Sequence, residues 1–189
     1  MRTKRFSNVI GFDDAPFPRG HCGPVKIVGA VFAHHRLDGV LVGEIEKDGD
    51  DATRQLVHLV SRSKFYQHAR LIMLQGITMG GFNVVDILSL HRQLALPVLV
   101  VARRMPDGEA IRRALVKHLP GGRVKWDLIE AAGVMEPVGD VFVQRVGLTP
   151  SQAIAIVDQW SVHSRVPEPL RCAHLIAGAI ATGQSRNRP

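Results

Sequence analysis

Residues 8–46, NVIGFDDAPFPRGHCGPVKIVGAVFAHHRLDGVLVGEIE, contain three extended segments, Asn8–Phe12, Val25–Ala33 and Gly39–Glu46. They are rich in Val, Ile and Phe and are parted by Gly, Pro or charged residues, the composition of strands bounded by turns. Their connections are short, so the three are expected to pair antiparallel. After Asp48-Gly49-Asp50-Asp51 the period changes: Ala52, Leu56, Leu59 and Val60 recur at helical spacing through Arg62,. An apolar strand at Leu71–Leu74, a helical stretch at Asn83–Leu94 and an unbroken apolar strand at Pro97–Ala102 then form a right-handed strand–helix–strand unit,. The crossover before Leu71 predicts that the first strand is central and pairs with the fourth in parallel.

Arg103–Val138 reads as a charged helical pair, broken at Pro120-Gly121-Gly122. Val141–Val146 is a further strand, and Thr149-Pro150 starts a helix that runs to about His163,. A last helix follows Pro167-Glu168-Pro169. No repeat or linker divides the chain. One mixed α/β domain over residues 1–189 is expected, with a flexible polar end at 184–189.

The 189 residues are 46% hydrophobic and 22% charged, enough for one substantial core and incompatible with a disordered tail protein,. The net charge of +7 favours anionic partners, nucleic acid or nucleotides,. No apolar stretch reaches the roughly 20 residues of a membrane helix, so no membrane role is expected. The basic Met1–Arg5 lacks the apolar run of a secretory signal, which places the protein in the cytoplasm,. Cys22 and Cys172 fit neither a disulfide framework nor a zinc-ligand spacing and suit a reducing compartment,.

Three strands, a helix, then alternating strand and helix is the order of the RNase H-like fold. Asp13 and Asp14 close the first strand, while Asp48, Asp50 and Asp51 lie between the third strand and the first helix. A hard cation such as Mg²⁺ takes one or two carboxylates together with water and phosphate, and such sites suit phosphodiester hydrolysis. The same acids are equally ordinary turn and N-cap residues.

Five ordered stretches resemble one family: residues 11–17 (GFDDAPF), 37–41 (LDGVL), 48–53 (DGDDAT), 76–86 (GITMGGFNVVD) and 166–174 (VPEPLRCAH). Together they resemble the endonuclease dU family, which is related to endonuclease V in the RNase H-like superfamily. The resemblance implies a Mg²⁺- or Mn²⁺-dependent endonuclease acting on DNA or RNA. It puts the first metal-binding acid on Asp13 and the second on Asp51, with Asp50 as the nearby option. The third acid falls on Gln75, where the family has Asp, and the amide removes one negative charge. The catalytic lysine falls on Arg103 and the histidine of the Pro-Glu-Pro pattern on His174. Read without the family, a histidine on an apolar helix face is a core residue.

No aromatic-proline wedge precedes the second acid; Glu46-Lys47-Asp48-Gly49 stands there, so recognition of a deaminated base is not implied. Phe82 in its glycine-rich loop could stack on a base or cover the core. Arg103 and Arg104 could hold phosphate. These readings define a nuclease in which Asp13, Asp51, Gln75 and His174 meet in one cleft with Arg103 at its rim. The alternative is a protein of the same fold that binds nucleic acid or a nucleotide without cleaving it. The oligomeric state is left open, with a homodimer among the options.

Overall fold

The computed structural model describes residues 6–185, so most of the expected flexible end, residues 186–189, lies outside them. Among the described residues nine strands and six α-helices are formed. The first three strands are β1 (Asn8–Asp14), β2 (Pro24–Ala33) and β3 (Arg36–Glu46). Next come α1 (Ala52–Ser61), β4 (Leu71–Gln75), β5 (Thr78–Met79), β6 (Asn83–Val84), α2 (Ile87–Leu94) and β7 (Val98–Ala102). Then follow α3 (Gly108–His118), α4 (Gly122–Ala131), β8 (Glu136–Val138), β9 (Val141–Val146), α5 (Pro150–Trp160) and α6 (Glu168–Thr182). Seven strands make one mixed sheet in the order β3-β2-β1-β4-β7-β9-β8. β1 pairs antiparallel with β2, and β2 with β3, as the short connections require. β1 lies inside the sheet and runs parallel to β4, which runs parallel to β7.

Alternation along the central strands sorts their side chains into two layers. Ile10, Phe12, Ile72, Leu74, Val98 and Val100 pack with Leu56 and Val60 of α1 and Leu90 and Leu94 of α2. On the opposite face Val9, Leu71, Met73, Leu99 and Val101 pack with Trp160 of α5 and Leu170 and Ala173 of α6. Each fully buried Leu, Ile or Val in these layers contributes about 1.5–3 kcal/mol. Gly11 fixes how closely α6 approaches: a Cβ there would lie 2.6 Å from the carbonyl carbon of Pro169. The first turn of α6 therefore rests directly on the β1 backbone.

Three expectations are corrected. The stretch from Arg103 to Val138 is not helical throughout: residues 103–107 connect β7 to α3, and Glu136–Val138 is an edge strand paired with β9. Pro137 suits that place, because an edge strand leaves one row of N–H positions unused. Asn83 and Val84 are not helical but pair with β5 in a hairpin; Gly80 and Gly81 take positive φ of 54° and 89°, as a tight hairpin turn requires,. Helix α2 starts only after Asp86, whose side chain accepts a hydrogen bond from Ser89 N. The helix opened by the Thr149–Gln152 capping box ends at Trp160, short of His163. Among the described residues no helix is long and apolar enough to cross a membrane.

Candidate active site

The C-terminal ends of the parallel strands β1, β4 and β7 set the site. Val9 and Gly11 face α6, and by alternation so does Asp13,. Leu71, Met73 and hence Gln75 share that face on β4, as do Leu99, Val101 and hence Arg103 just past β7. The β1–β4 register ends at Phe12–Leu74, so the next position sets Asp13 beside Gln75. Helix α6 passes over this edge and lowers His174 onto it: His174 Nδ1 lies 2.8 Å from Asp13 Oδ2. Four of the expected residues thus converge although Asp13 and His174 are 161 positions apart.

Asp13 is 5% exposed. Burial pushes its carboxyl above the usual range, opposed by His174, by the Asp14 N–H that donates to Oδ1 at 2.9 Å, and by the Arg103 charge. The hydrogen bond to Asp13 holds the His174 imidazole above its ordinary pKa, against partial burial and the repulsion of Arg103. Gln75 carries an anomaly: its Oε1 is buried and has no hydrogen-bond partner. An orphaned carbonyl oxygen normally costs about 1–3 kcal/mol, so the position is built at a loss unless something else binds there.

Asp14, the neighbouring acid, accepts a hydrogen bond from Gly80 N at 3.0 Å through Oδ2. Burial first, and then the adjacent Asp13, push its pKa from 3.8 up to about 6. Asp13 and the Gln75 carbonyl are hard oxygen donors, the type a Mg²⁺ or Mn²⁺ ion takes together with water and phosphate, while Asp14, the next residue along the strand, is turned toward the Gly80 hairpin,. The donor set fits such an ion, with Gln75 as its neutral member. Among the described residues no three His, Cys, Asp or Glu side chains cluster as a ready ligand set.

The acidic turn before α1 is joined to Asp14 through Gly80, whose N–H donates to Asp14 and whose carbonyl accepts from Asp48 N at 2.8 Å. Asp51 is 8% exposed and sits at the N-cap position without capping. Its Oδ1 accepts from Asn83 Nδ2 at 2.7 Å and Glu46 N at 3.0 Å, and its Oδ2 accepts from Gln55 at 3.3 Å. Asn83, fully buried, supplies the cap instead, accepting from Ala52 N at 3.0 Å. Asp48 Oδ1 accepts from Phe82 N at 2.8 Å, and exposed Asp50 pairs with Lys125 at 3.1 Å. Lys125, 3% exposed on α4, donates to the carbonyls of Asp48, Gly49 and Phe82 at 2.5, 2.7 and 3.1 Å. Neither Asp51 nor Asp50 hydrogen-bonds to Asp13 or His174; protein donors engage Asp51, and Asp50 pairs with Lys125.

Beside the site opens a cleft of about 980 Å³ lined by Arg103, Arg104, Arg165, Arg171, His163 and Ser164. Phe82 is not among its lining residues; its backbone is part of the Lys125 network. Asp14, Asn83, Lys125 and the 163–165 loop were not singled out by the sequence as site-forming. Only Asp14 carried a signal, as the second acid of the Asp-Asp pair at the strand end.

The sheet order and the helices on both its faces are those of an endonuclease V-like α/β fold. The structure matches endonuclease V from Ciona intestinalis with a TM-score of 0.58 at 11% identity, over 92% of this chain and 84% of that one. Human endonuclease V matches with a TM-score of 0.57 at 15% identity, over 93% and 84% of the two chains. At such identities the likeness is one of fold. Closer in sequence, a crystal structure of a protein of unknown function from Archaeoglobus fulgidus matches with a TM-score of 0.85 at 39% identity, over 92% of this chain and 97% of that one. A UPF0215 protein from Deinococcus radiodurans is 50% identical over 96% of this chain and 92% of its own length. The Endonuclease dU family model matches residues 5–181, and the chain belongs to that family.

Proposed function

We propose that this protein is a metal-dependent endonuclease that hydrolyses phosphodiester bonds of nucleic acid at the Asp13–His174 pair. The observation that carries this reading is that pair itself, a 2.8 Å hydrogen bond between the end of β1 and α6, beside the partnerless oxygen of Gln75. Asp13 and the Gln75 carbonyl would hold Mg²⁺ or Mn²⁺, which when bound would neutralise charge on the scissile phosphate and acidify a water. Asp13 accepts the Nδ1 proton of His174, a tautomer assigned from the hydrogen bond, and so leaves Nε2 to face the reaction. His174 then takes a proton from the attacking water or delivers one to the leaving oxygen. Arg103, whose charge reaches both Asp13 and His174, would hold a non-bridging phosphate oxygen,. The nucleic acid bound by the Ciona endonuclease V, a 24mer DNA containing an inosine, agrees in substrate class.

A second reading has its own observation. Asp51 is engaged by protein donors, Asp50 is paired with Lys125 and Gln75 is neutral, so fewer free carboxylate oxygens are offered than in a metal centre of three acids. In that reading the protein binds nucleic acid and does not cleave it. The test is cleavage of labelled single- and double-stranded DNA and RNA with Mg²⁺ or Mn²⁺, by the wild type, Asp13→Asn and Gln75→Asp. Hydrolysis is expected to need the metal, to fall about 10²–10⁴-fold in Asp13→Asn and to reach half-maximum at lower metal concentration in Gln75→Asp. Binding without cleavage by both the wild type and Gln75→Asp would sink the nuclease reading and leave the second.

A further inference from the structure

We infer that the arginine cleft binds the sugar–phosphate backbone of a single strand of nucleic acid without reading its bases. This deepens the function proposed above and rests on it for where the strand leads. Arg103 and Arg104 come from the end of β7, Arg165 and His163 from the α5–α6 connection, and Arg171 from the first turns of α6. Guanidinium groups from separate elements thus line one depression. Arg171 is fixed by a two-pronged pair with Glu168, at 2.6 and 2.8 Å, which pre-orients its fork without using all its donors,. Arg165 lies 3.4 Å from Asp140, an exposed pair that solvent screens,. Arg171 and Arg165 are thus each matched by a carboxylate.

The lining decides between ligands. Pockets for small molecules are mainly apolar and aromatic and reach about 300–1,000 Å³. This cleft is at the upper end of that range, yet its lining has no Phe, Tyr or Trp, and its one apolar lining residue, Val166, is 1% exposed. A nucleobase finds no Phe, Tyr or Trp to stack on here, whereas phosphates find four guanidinium groups. A concave channel admits one chain of phosphates more readily than the wider cylinder of a duplex. His174 follows Arg171 by three residues on α6 and so lies on a neighbouring part of the same helix face. A strand leaving the cleft past Arg103 reaches the Asp13–His174 pair.

The experiment is equilibrium binding of labelled oligo(dT), oligo(dA) and a duplex of equal length to the full chain in EDTA, where no metal-dependent cleavage interferes. Two to four phosphates neutralised on a single strand give a slope of log affinity against log salt of about −1.4 to −2.8. Arg104→Ala and Arg165→Ala are each expected to flatten that slope by about 0.7 and to weaken both oligonucleotides equally, about fivefold near 0.1 M salt. The inference is overturned if neither variant changes affinity, if the two homopolymers differ by about tenfold or more, if the duplex binds more tightly, or if polyglutamate competes as well as an oligonucleotide. Binding as described with no hydrolysis by the wild type refutes only the nuclease reading. Hydrolysis with binding untouched by the arginine variants refutes only the cleft.

Discussion

Asp14 is a charge kept where the fold penalises it, and replacing it by Asn should make the protein more stable. Its carboxyl titrates at about 6 in the folded protein, against 3.8 for an ordinary aspartate, because of burial and the neighbouring Asp13. Between those two pH values the native state holds the proton that the unfolded chain has lost, so stability falls as pH rises through this window. A difference of about 2 pH units at 1.36 kcal/mol each gives about 3 kcal/mol, fully developed above the folded pKa. The Asn amide has the size of the neutral acid and keeps an oxygen for the Gly80 N–H,. Asp14→Asn should therefore match the wild type near pH 3, gain stability from pH 4 to 6, and hold a plateau of about 3 kcal/mol at pH 7–8. Urea unfolding across that pH range in EDTA reads this as a midpoint raised by about 1 M or more, given slopes of 1–3 kcal/mol/M. A stability difference independent of pH, or a loss at pH 8, would refute the account of Asp14. A gain accompanied by loss of cleavage would mark Asp14 as a group retained for activity at the expense of stability.

Gly11→Ala should destabilise by about 1–3 kcal/mol or more, since its Cβ meets the Pro169 backbone and not a movable side-chain tip,; thermal unfolding measures it, and an unchanged midpoint would contradict the close approach of α6. Lys125→Met should cost about 1–3 kcal/mol by leaving carbonyls of Asp48, Gly49 and Phe82 without their donor,. Faster amide exchange at Phe82 and Gly80 should accompany that loss, and protection equal to the wild type would show that Lys125 does not hold the turn to the hairpin.

The sheet was legible because its strands are written in runs that only strands explain. Val98–Ala102 is apolar without a break, and Asn8–Asp14 is apolar on both faces up to its acids,. The hairpin at 78–84 and the strand at 136–138 escaped because two or three residues give no period to read,. At the site, Asp13, Gln75 and Arg103 share one rule, a strand end facing one layer, which sequence order and alternation expose. Asp51 obeys a different rule. An acid before a helix serves as cap, ligand or hydrogen-bond acceptor, and only the burial of Asn83 against it decides among these. Lys125 looks in sequence like any cation on a polar helix, because the carbonyls that engage it lie 76 and 77 positions away in the Asp48–Gly49 turn.

The seating of α6 on Gly11 also determines when in the life of the chain the site comes into being. Asp13 emerges early in synthesis and can join β1–β3, whose pairings are local, before the rest of the sequence exists,. His174 and Arg171 arrive only with α6, the final helix of the described fold, and the distant contact they make is of the kind that forms slowly,. A chain interrupted before Glu168 would carry the acids and the open sheet face but no histidine above them. Such a fragment has an exposed apolar layer where Leu170 and Ala173 should lie, so it is disposed to aggregate,. The Asp13–His174 pair is thereby reserved for a chain that has reached and seated α6.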